Sequence, residues 1–212
     1  MSAGLTVVVD YGLCNIDSMA RALEECGARE VVRSRDPRMV GKADRIVLPG
    51  VGNFTAAMRN IREFGLFEAI QEAGAARNTP FLGACLGMQL MATRSSEGAT
   101  NGSTPGLGLV PGEVVRLAPA NGDERIPHIG WNEVVPRTGS TLFNGGGPAD
   151  FYFVHSFHVR LVDTKDEGGR TPYCGGFTAA IEAAGRPIFG TQFHPEKSQK
   201  SGFRLLKNFL AI

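Results

Sequence analysis

The sequence lacks the features that mark disulfide-stapled, metal-bound or membrane-spanning proteins. Its few cysteines stand far apart and form no C-x-x-C pair: Cys14, Cys26, Cys85 and Cys174. This spacing argues against a disulfide framework and against a zinc site. No run of about 18 apolar residues occurs, so nothing in the sequence predicts a span of the bilayer.

An excess of charge of either sign is also lacking. Lysine and arginine total 22 against 21 aspartates and glutamates, which gives a formal net charge of +1. That balance gives no reason to expect binding to nucleic acid or to an anionic membrane. The N-terminus enters a strand-like apolar run at once, which leaves no room for a signal peptide. Together with the unpaired cysteines, this predicts a cytoplasmic protein.

The first half of the chain alternates strand-like and helix-like segments. Continuous apolar runs predict buried strands at 5–10, 31–32, 45–48 and 80–84. Apolar residues at helical spacing predict helices at 15–26, 54–61, 67–76 and 87–93. Strands that alternate with helices in this way indicate an α/β fold, with βαβ units around a mostly parallel central sheet flanked by helices.

The second half is rich in short strands. It follows a turn-rich segment at 95–112, which we interpret as a surface excursion. Strand-like runs are predicted at 114–117, 133–135, 151–154 and 158–162, and a hairpin at 177–181 and 187–193. An amphipathic helix at 203–210 closes the chain. A length of 212 residues suits one domain, so we predict a single domain over residues 1–212.

The first candidate for chemistry is Cys85, within Gly83-Ala84-Cys85-Leu86-Gly87. Small residues on both sides of a nucleophile allow the sharp strand-to-helix turn that raises its side chain above the sheet. Free N–H groups at the start of the next helix favour a thiolate at Cys85, and the N–H of Leu86 is placed to bind an oxyanion. The alternative is that Cys85 is a small buried hydrophobe, the usual fate of a free cysteine.

The second candidate is the segment His194-Pro195-Glu196, at the end of the last predicted strand. Residues two apart on an extended chain share a face, so the imidazole and the carboxylate can lie together. A carboxylate beside a ring N–H fixes the tautomer and raises the basicity of the other nitrogen. Alone, the histidine could equally be a metal ligand or a simple strand-end residue. With the cysteine elbow upstream, the set indicates a Cys-His-Glu triad.

The third candidate is the loop Pro49-Gly50-Val51-Gly52, which follows a predicted strand. Two glycines around one residue allow the peptide between them to rotate. A phosphate-binding loop is poorly supported because no G-K-[S/T] follows. The loop could also be a plain glycine-rich turn, but a second oxyanion donor near Cys85 is the sharper hypothesis.

These motifs together resemble those of the class I (triad) glutamine amidotransferases. The elbow GACLGMQ at 83–89, the strand end QFHPE at 192–196 and the glycine loop carry the resemblance. Finer motifs are similar to those of the glutaminase subunits of imidazole glycerol phosphate synthases: DYG at 10–12, PGVG at 49–52, IPHIGWN at 126–132, YFVHS at 152–156 and GTQFHPEKSQ at 190–199. The resemblance runs from Leu5 to the C-terminal helix, and it implies a class I glutamine amidotransferase fold.

The resemblance also implies a role for each matching residue. Cys85 would be the nucleophile, His194 the general base and then acid, and Glu196 the acid that orients the histidine. The implied oxyanion contributors are Leu86, Val51 and Gly52. The implied contacts of substrate glutamine are Gln89, His155 and Ser156. The segment implied to face a partner subunit contains Pro127, His128, Trp131 and Asn132.

The implied activity is hydrolysis of glutamine to glutamate and ammonia. The ammonia would pass to a separate (β/α)8-barrel cyclase subunit, which makes imidazole glycerol phosphate and AICAR in histidine biosynthesis. The two subunits would form a heterodimer, and neither a cofactor nor a metal is implied for this chain.

Two alternatives keep the same fold. A paralogue that supplies ammonia to a different synthase, such as one for surface sugars, would keep every catalytic residue and change only its partner. A non-catalytic activating subunit would usually have lost the cysteine or the histidine, whereas Cys85, His194 and Glu196 are all present.

Overall fold

The strands of the protein were assigned from a computed structural model that describes residues 4–100 and 102–212. In chain order they are β1 (Leu5–Val9), β2 (Glu30–Ser34), β3 (Arg45–Leu48), β4 (Phe81–Ala84), β5 (Arg94–Ser95), β6 (Thr104–Pro105), β7 (Gly112–Arg116), β8 (His128–Pro136), β9 (Ala149–His155), β10 (Phe157–Leu161), β11 (Glu167–Thr171), β12 (Phe177–Glu182) and β13 (Ile188–Thr191).

The helices lie mostly in the first half of the chain. The α-helices are α1 (Ile16–Glu25), α2 (Pro37–Lys42), α3 (Phe54–Glu63), α4 (Leu66–Gln71), α5 (Leu86–Leu90) and α6 (Gln199–Leu210). A π-helical turn, Glu72–Ala76, continues α4. Among the described residues, none of these helices has the length and apolar character needed to cross a membrane.

A nine-stranded sheet forms the centre of the molecule, in the order β2-β1-β3-β4-β13-β12-β11-β8-β9. Its neighbours from β2 to β13 are parallel, as the βαβ pattern predicts. From β13 to β9 the neighbours are antiparallel, so the sheet is mixed and its parallel part is the half that begins with β2. A smaller sheet has the order β10-β7-β5-β6.

Both faces of the parallel half are covered, which explains why its strands read as continuous apolar runs. Val7 and Val9 of β1 face a core that contains Phe54, Met58 and Ile61 of α3. Val8, between them, faces the opposite core, which is built from α1 and α6 side chains such as Leu23, Leu206 and Phe209. The alternation of side chains along one strand therefore supplies both cores.

One predicted element ends earlier than expected. The helix predicted at 87–93 is α5, which ends at Leu90. The carbonyls that would continue it accept other N–H groups, because Leu90 O bonds Leu107 N at 2.8 Å and Ala92 O bonds Gly108 N at 3.2 Å. The segment 95–112 is consequently not a pure surface excursion, since Leu107 and Val110 are fully buried.

Other differences lie in the strand-rich half. The strand predicted at 133–135 is the end of β8, which starts at His128. β11 was not predicted, because its sequence EGGRT has no apolar alternation and its pairing with β12 is irregular. The predicted hairpin is confirmed as β12 and β13, and the closing helix is confirmed as α6.

Candidate active site

Cys85 sits at a sharp turn between β4 and α5, as the elbow motif predicts. Its φ of 53° lies in the left-handed region that side-chain-bearing residues rarely occupy. The turn requires glycine on both sides. A Cβ at Gly83 would lie 2.6 Å from the Gly87 carbonyl oxygen, and one at Gly87 would lie 1.7 Å from the Leu48 carbonyl oxygen. The glycines thus let the helix start pack against the sheet and hold the strained cysteine in place.

The Cys85 sulfur is nearly buried, and polar groups surround it. The residue is 5% exposed. Its Sγ lies 3.9 Å from the carbonyl oxygen of Val154 and 3.8 Å from Nε2 of Gln192. The simple alternative of an inert cysteine in an apolar core does not describe these surroundings.

His194 and Glu196 form a buried pair, joined by a 2.8 Å contact between Nδ1 and Oε1. Each side chain is 4% exposed. The two residues are not on an extended strand as predicted, because β13 ends at Thr191 and Pro195–Lys197 is a 3₁₀ turn. The Ser198 hydroxyl holds this turn by donating to the His194 carbonyl at 2.6 Å.

The free ring nitrogen of His194, Nε2, is buried and has no hydrogen-bond partner among the described residues. Burial by itself lowers the pKa of His194, but Cys85 and Glu196 act in the other direction and raise the pKa above its ordinary value. The acid fixes one ring nitrogen of His194 and leaves the other, Nε2, free to exchange a proton.

A cavity of about 160 Å³ opens beside the elbow. It is lined by Val51, Gly52, Cys85, Leu86, Gln89, Glu97, Val154, His155, Ser156 and Phe157. The structure thus gathers the predicted nucleophile, the predicted oxyanion residues and the predicted glutamine contacts around one space. His194 and Glu196 are not part of this lining.

The loop at 49–52 directs the Gly50 carbonyl toward Leu86, the first residue of α5. The N–H of Leu86 donates to the Gly50 carbonyl at 3.4 Å, while the N–H of Val51 donates to the Leu13 carbonyl at 2.9 Å. The N–H of Val51, predicted as an oxyanion donor, consequently points away from the elbow. Gly52 has a φ of 113°, and this left-handed conformation favours glycine there.

A family model described as glutamine amidotransferase class-I matches residues 7–212. The chain belongs to the class-I glutamine amidotransferase family. This confirms the family resemblance that the motifs carry, and it agrees with an α/β fold built on a large sheet flanked by helices.

Within this family, the chain is similar to subunits of one named enzyme, imidazole glycerol phosphate synthase. The chain is 45% identical to imidazole glycerol phosphate synthase subunit HisH of Cereibacter sphaeroides, over 97% of this chain and 98% of that one. It is 46% identical to the subunit of the same name from Carboxydothermus hydrogenoformans, over 96% and 98%. The structure of PurLQS from Thermotoga maritima is similar in fold, with a TM-score of 0.73, 19% identity and 99% of each chain covered.

Glu97 is a cavity residue that sequence reasoning missed. It is the one carboxylate in the cavity lining, and its Oε2 accepts the Phe54 N–H at 2.8 Å. Burial raises its pKa, and the Phe54 hydrogen bond lowers it by less. A signal was present, since Glu97 is the only charged residue in the segment 95–112. The turn-rich composition of that segment indicates a surface excursion and so conceals its place in the site.

The segment predicted to face a partner has both exposed and buried residues, because successive side chains of β8 point to opposite faces of the sheet. Pro127 and Trp131 are exposed, Trp131 by 46%, and Asn132 is half-buried. His128 contradicts the prediction, because it is 1% exposed and faces the core. Its ring stacks on Tyr173 at 4.0 Å, and its nitrogens contact His155 and Asn132 at 3.0 and 2.7 Å.

The opposite face of β8 is exposed and presents apolar side chains, with Glu133 as a charged residue among them. Ile129 is 61% and Val135 48% exposed. Ile129 pairs with Val154 of β9, and Val154 lines the cavity. An apolar face of this kind, continuous with the site, is typical of a surface covered by another protein.

The buried histidines predict that the protein loses stability in acid. Burial lowers the pKa of His128 to about 4 and that of His155 to about 3. Both values lie below the ordinary value of about 6.5 in an unfolded chain. The unfolded state therefore binds more protons, so these groups stabilise the fold above about pH 6.5 and lose that effect as pH falls toward 4.

Urea unfolding at a series of pH values between 7 and 4 tests this. Each such histidine contributes up to roughly 1.4 kcal/mol of unfolding free energy per pH unit. His128→Gln should show a shallower loss than wild type over the same range. Equal slopes for the two proteins would contradict the assignment of His128 as a buried neutral histidine.

Proposed function

We propose that this chain is a glutaminase that supplies ammonia to a partner cyclase, which makes imidazole glycerol phosphate and AICAR. The observation that carries the activity is that Cys85 lines the cavity and acts on the buried His194–Glu196 pair, because it helps to raise the pKa of His194. The names of the 45–46% identical relatives support the choice of pathway. We further propose that residues 1–212 act as one cytoplasmic glutamine amidotransferase domain.

In the proposed reaction, the Cys85 thiolate attacks the side-chain amide carbon of glutamine. A tetrahedral oxyanion forms and is stabilised by backbone N–H groups at the elbow. The His194 imidazolium donates its proton to the amide nitrogen, the carbon–nitrogen bond breaks, and ammonia leaves behind a glutamyl thioester. His194 then takes a proton from water, and the hydroxide equivalent displaces the thiolate to release glutamate.

Binding of glutamine in this proposal uses the remaining cavity walls. Gln89, His155 and Ser156 would contact the substrate, as the family resemblance implies. Glu97 adds a carboxylate, which suits the positively charged α-amino group of glutamine. Its partial burial would strengthen that attraction, because the charges are less screened than in water.

The proposed partner would cover the exposed face of β8, which carries Trp131, and would reach Pro127 before the strand and the half-buried Asn132 at its edge. Aromatic residues are enriched in the cores of protein interfaces, and Trp131 stands on this face beside Tyr152, with ring centroids 5.9 Å apart. Ammonia must stay unprotonated to act as a nucleophile, so a closed passage into the partner serves the reaction better than release into water.

The proposal is tested by measuring glutamate release with and without the cyclase subunit and its nucleotide substrate. We expect slow release from the chain alone and strong stimulation by the complete complex. A complex that makes no glutamate, while a cyclase supplied with ammonium salts is active, would contradict the proposed function.

The loop at 49–52 gives a reason for the expected stimulation. In this state the Val51 N–H donates to the Leu13 carbonyl, so it is missing as an oxyanion donor, and the Leu86 N–H is occupied by the Gly50 carbonyl. Rotation of the Gly50–Val51 peptide would replace the Gly50 carbonyl with that N–H. A missing oxyanion donor typically costs roughly 10²–10³ in rate, which is a useful size for control by a partner.

Val51→Pro should abolish most of the stimulation, since proline has no N–H to offer in either position. We expect the stimulated rate to fall by roughly 10²–10³-fold. Val51→Ala is the matched control, because it keeps the N–H and removes only a side chain that is 40% exposed. Gly50 is unsuitable for this test, as a Cβ there would lie 1.9 Å from the Tyr11 hydroxyl. Full stimulation of Val51→Pro would show that rotation of the Gly50–Val51 peptide does not cause the stimulation.

A further inference from the structure

Gln192 is a fully buried polar residue that the proposed reaction leaves unused. It follows β13 directly, and its backbone N–H donates to the Ala179 carbonyl at 2.8 Å. Its side chain lies between two groups of the site. Nε2 is 3.8 Å from the Cys85 sulfur, and Oε1 accepts from Nε2 of Gln89 at 3.1 Å.

The neighbouring contacts fix which way both amides point. The Phe157 carbonyl can only accept, so the Gln89 atom 2.8 Å from it must be the nitrogen. The second hydrogen of that nitrogen is directed at Gln192, so the atom of Gln192 facing Gln89 must be the oxygen. The nitrogen of Gln192 then faces Cys85, and the oxygen of Gln89 is left for the cavity that Gln89 lines.

The Phe157 carbonyl that sets this direction is itself anchored. It also accepts from Nδ1 of His155 at 2.8 Å, and Nε2 of His155 contacts Nδ1 of His128 at 3.0 Å. Asn132 contacts the other His128 nitrogen at 2.7 Å. The pKa of His155 is lowered by burial, so its ring is neutral and keeps one tautomer at neutral pH. The Phe157 carbonyl is therefore held in place as an acceptor, and flipping the Gln89 amide would lose its hydrogen bond.

We propose that Gln192 is a positioning residue of the glutaminase reaction. It presents an amide N–H to the Cys85 sulfur, and it holds Gln89 with its oxygen turned toward the substrate. This inference rests on the proposed glutaminase function and adds a residue to it. A donor facing the sulfur favours the charged thiolate that attacks the amide. A fixed Gln89 oxygen can accept a hydrogen bond from glutamine without first reorienting.

Two substitutions separate these two effects. Gln192→Met has a similar shape but neither donor nor acceptor, so Gln89 loses its partner and the sulfur loses its donor. We expect a KM for glutamine raised by roughly tenfold and a kcat lowered by roughly tenfold. Gln192→Glu keeps an oxygen that accepts from Gln89, so its KM should stay within about threefold of wild type. The control is Thr191→Val, which removes a neighbouring buried hydroxyl that bonds only the Phe193 carbonyl among the described residues.

Steady-state kinetics are measured on each variant in complex with the cyclase and its nucleotide. The pattern expected is a raised KM for Gln192→Met alone, with Thr191→Val at wild-type values. A Gln192→Glu variant whose KM rises as much as that of Gln192→Met would overturn the claim that Gln192 orients Gln89. A Gln192→Met variant with wild-type KM and kcat would overturn the whole proposal.

Alkylation of the chain alone by iodoacetamide tests the sulfur contact without any turnover. Modification of the Cys85 peptide is followed by mass spectrometry at neutral pH. The rate of modification should fall several-fold in Gln192→Met, which has no N–H to offer the sulfur, and stay unchanged in Thr191→Val. An unchanged rate in Gln192→Met would overturn the contact with the sulfur. If the wild-type complex released no glutamate, the proposed function would fail, while this measurement would still decide the role of Gln192 at Cys85.

Discussion

Cys85→Ala should eliminate glutamine-dependent synthesis in the complex while leaving synthesis from ammonium salts unchanged. The alanine has no sulfur to attack the amide, so we expect glutamate release to fall by roughly 10⁴-fold or more. In the proposed function, the cyclase reaction takes place on the partner subunit and needs the nucleotide substrate and ammonia but no glutamine. Synthesis should therefore be lost when glutamine is the nitrogen source and kept when ammonium salts are the source.

The matched control is Cys26→Ala. Cys26 is a half-buried thiol whose Sγ contacts the Phe203 carbonyl at 3.4 Å, and it does not line the cavity. Glutamate release by this variant should equal that of wild type. Glutamine hydrolysis that persists in Cys85→Ala would mean that another group is the nucleophile.

His194→Ala should cost more than Glu196→Ala. In the proposed reaction the imidazole moves the proton in both steps, whereas the carboxylate would orient the ring through the 2.8 Å contact with Nδ1. Loss of a general acid–base group typically costs roughly 10²–10⁴-fold in rate. Removal of Glu196 leaves the proton carrier in place, so the expected loss is smaller. Near-wild-type rates for both variants would make the pair structural.

The same pair predicts a change in pH dependence. Glu196 is one of the groups that raise the pKa of His194. Glu196→Gln removes the charge and keeps the shape, so the pKa of His194 should fall. The alkaline limb of the pH profile of kcat/KM should then move to lower pH. An unmoved limb would show that His194 does not set it.

The parts of the fold that could be predicted are those that leave a local pattern in the sequence. β1 and β3 were predicted from continuous apolar runs, because helices cover both of their faces. The elbow was predicted from the glycines around Cys85. The structure explains them, because a side chain at Gly83 or Gly87 would clash with the backbone. The end of α5 was not predictable, since it depends on carbonyls bonded to a segment more than a dozen residues further along the chain.

The site was predicted less completely than the fold for a related reason. His128 is predicted at the surface that faces a partner, yet β8 turns Ile129 and Trp131 outward and His128 inward. Burial of the histidine is tolerated because His155 and Asn132 contact both of its nitrogens. Glu97 comes to the cavity only through the return of its segment against α3. Neither placement leaves a local periodicity that could be read from the sequence.

The most direct measurement follows the nitrogen itself. Wild-type chain and cyclase are given the nucleotide substrate, glutamine carrying heavy nitrogen in its side-chain amide, and an excess of ordinary ammonium at neutral pH. Mass spectrometry then compares the heavy-nitrogen label in the imidazole glycerol phosphate with the label in free ammonium. The account predicts a product that carries the heavy nitrogen and loses it with Cys85→Ala. A product made only from the ordinary ammonium, with or without Cys85, would contradict it.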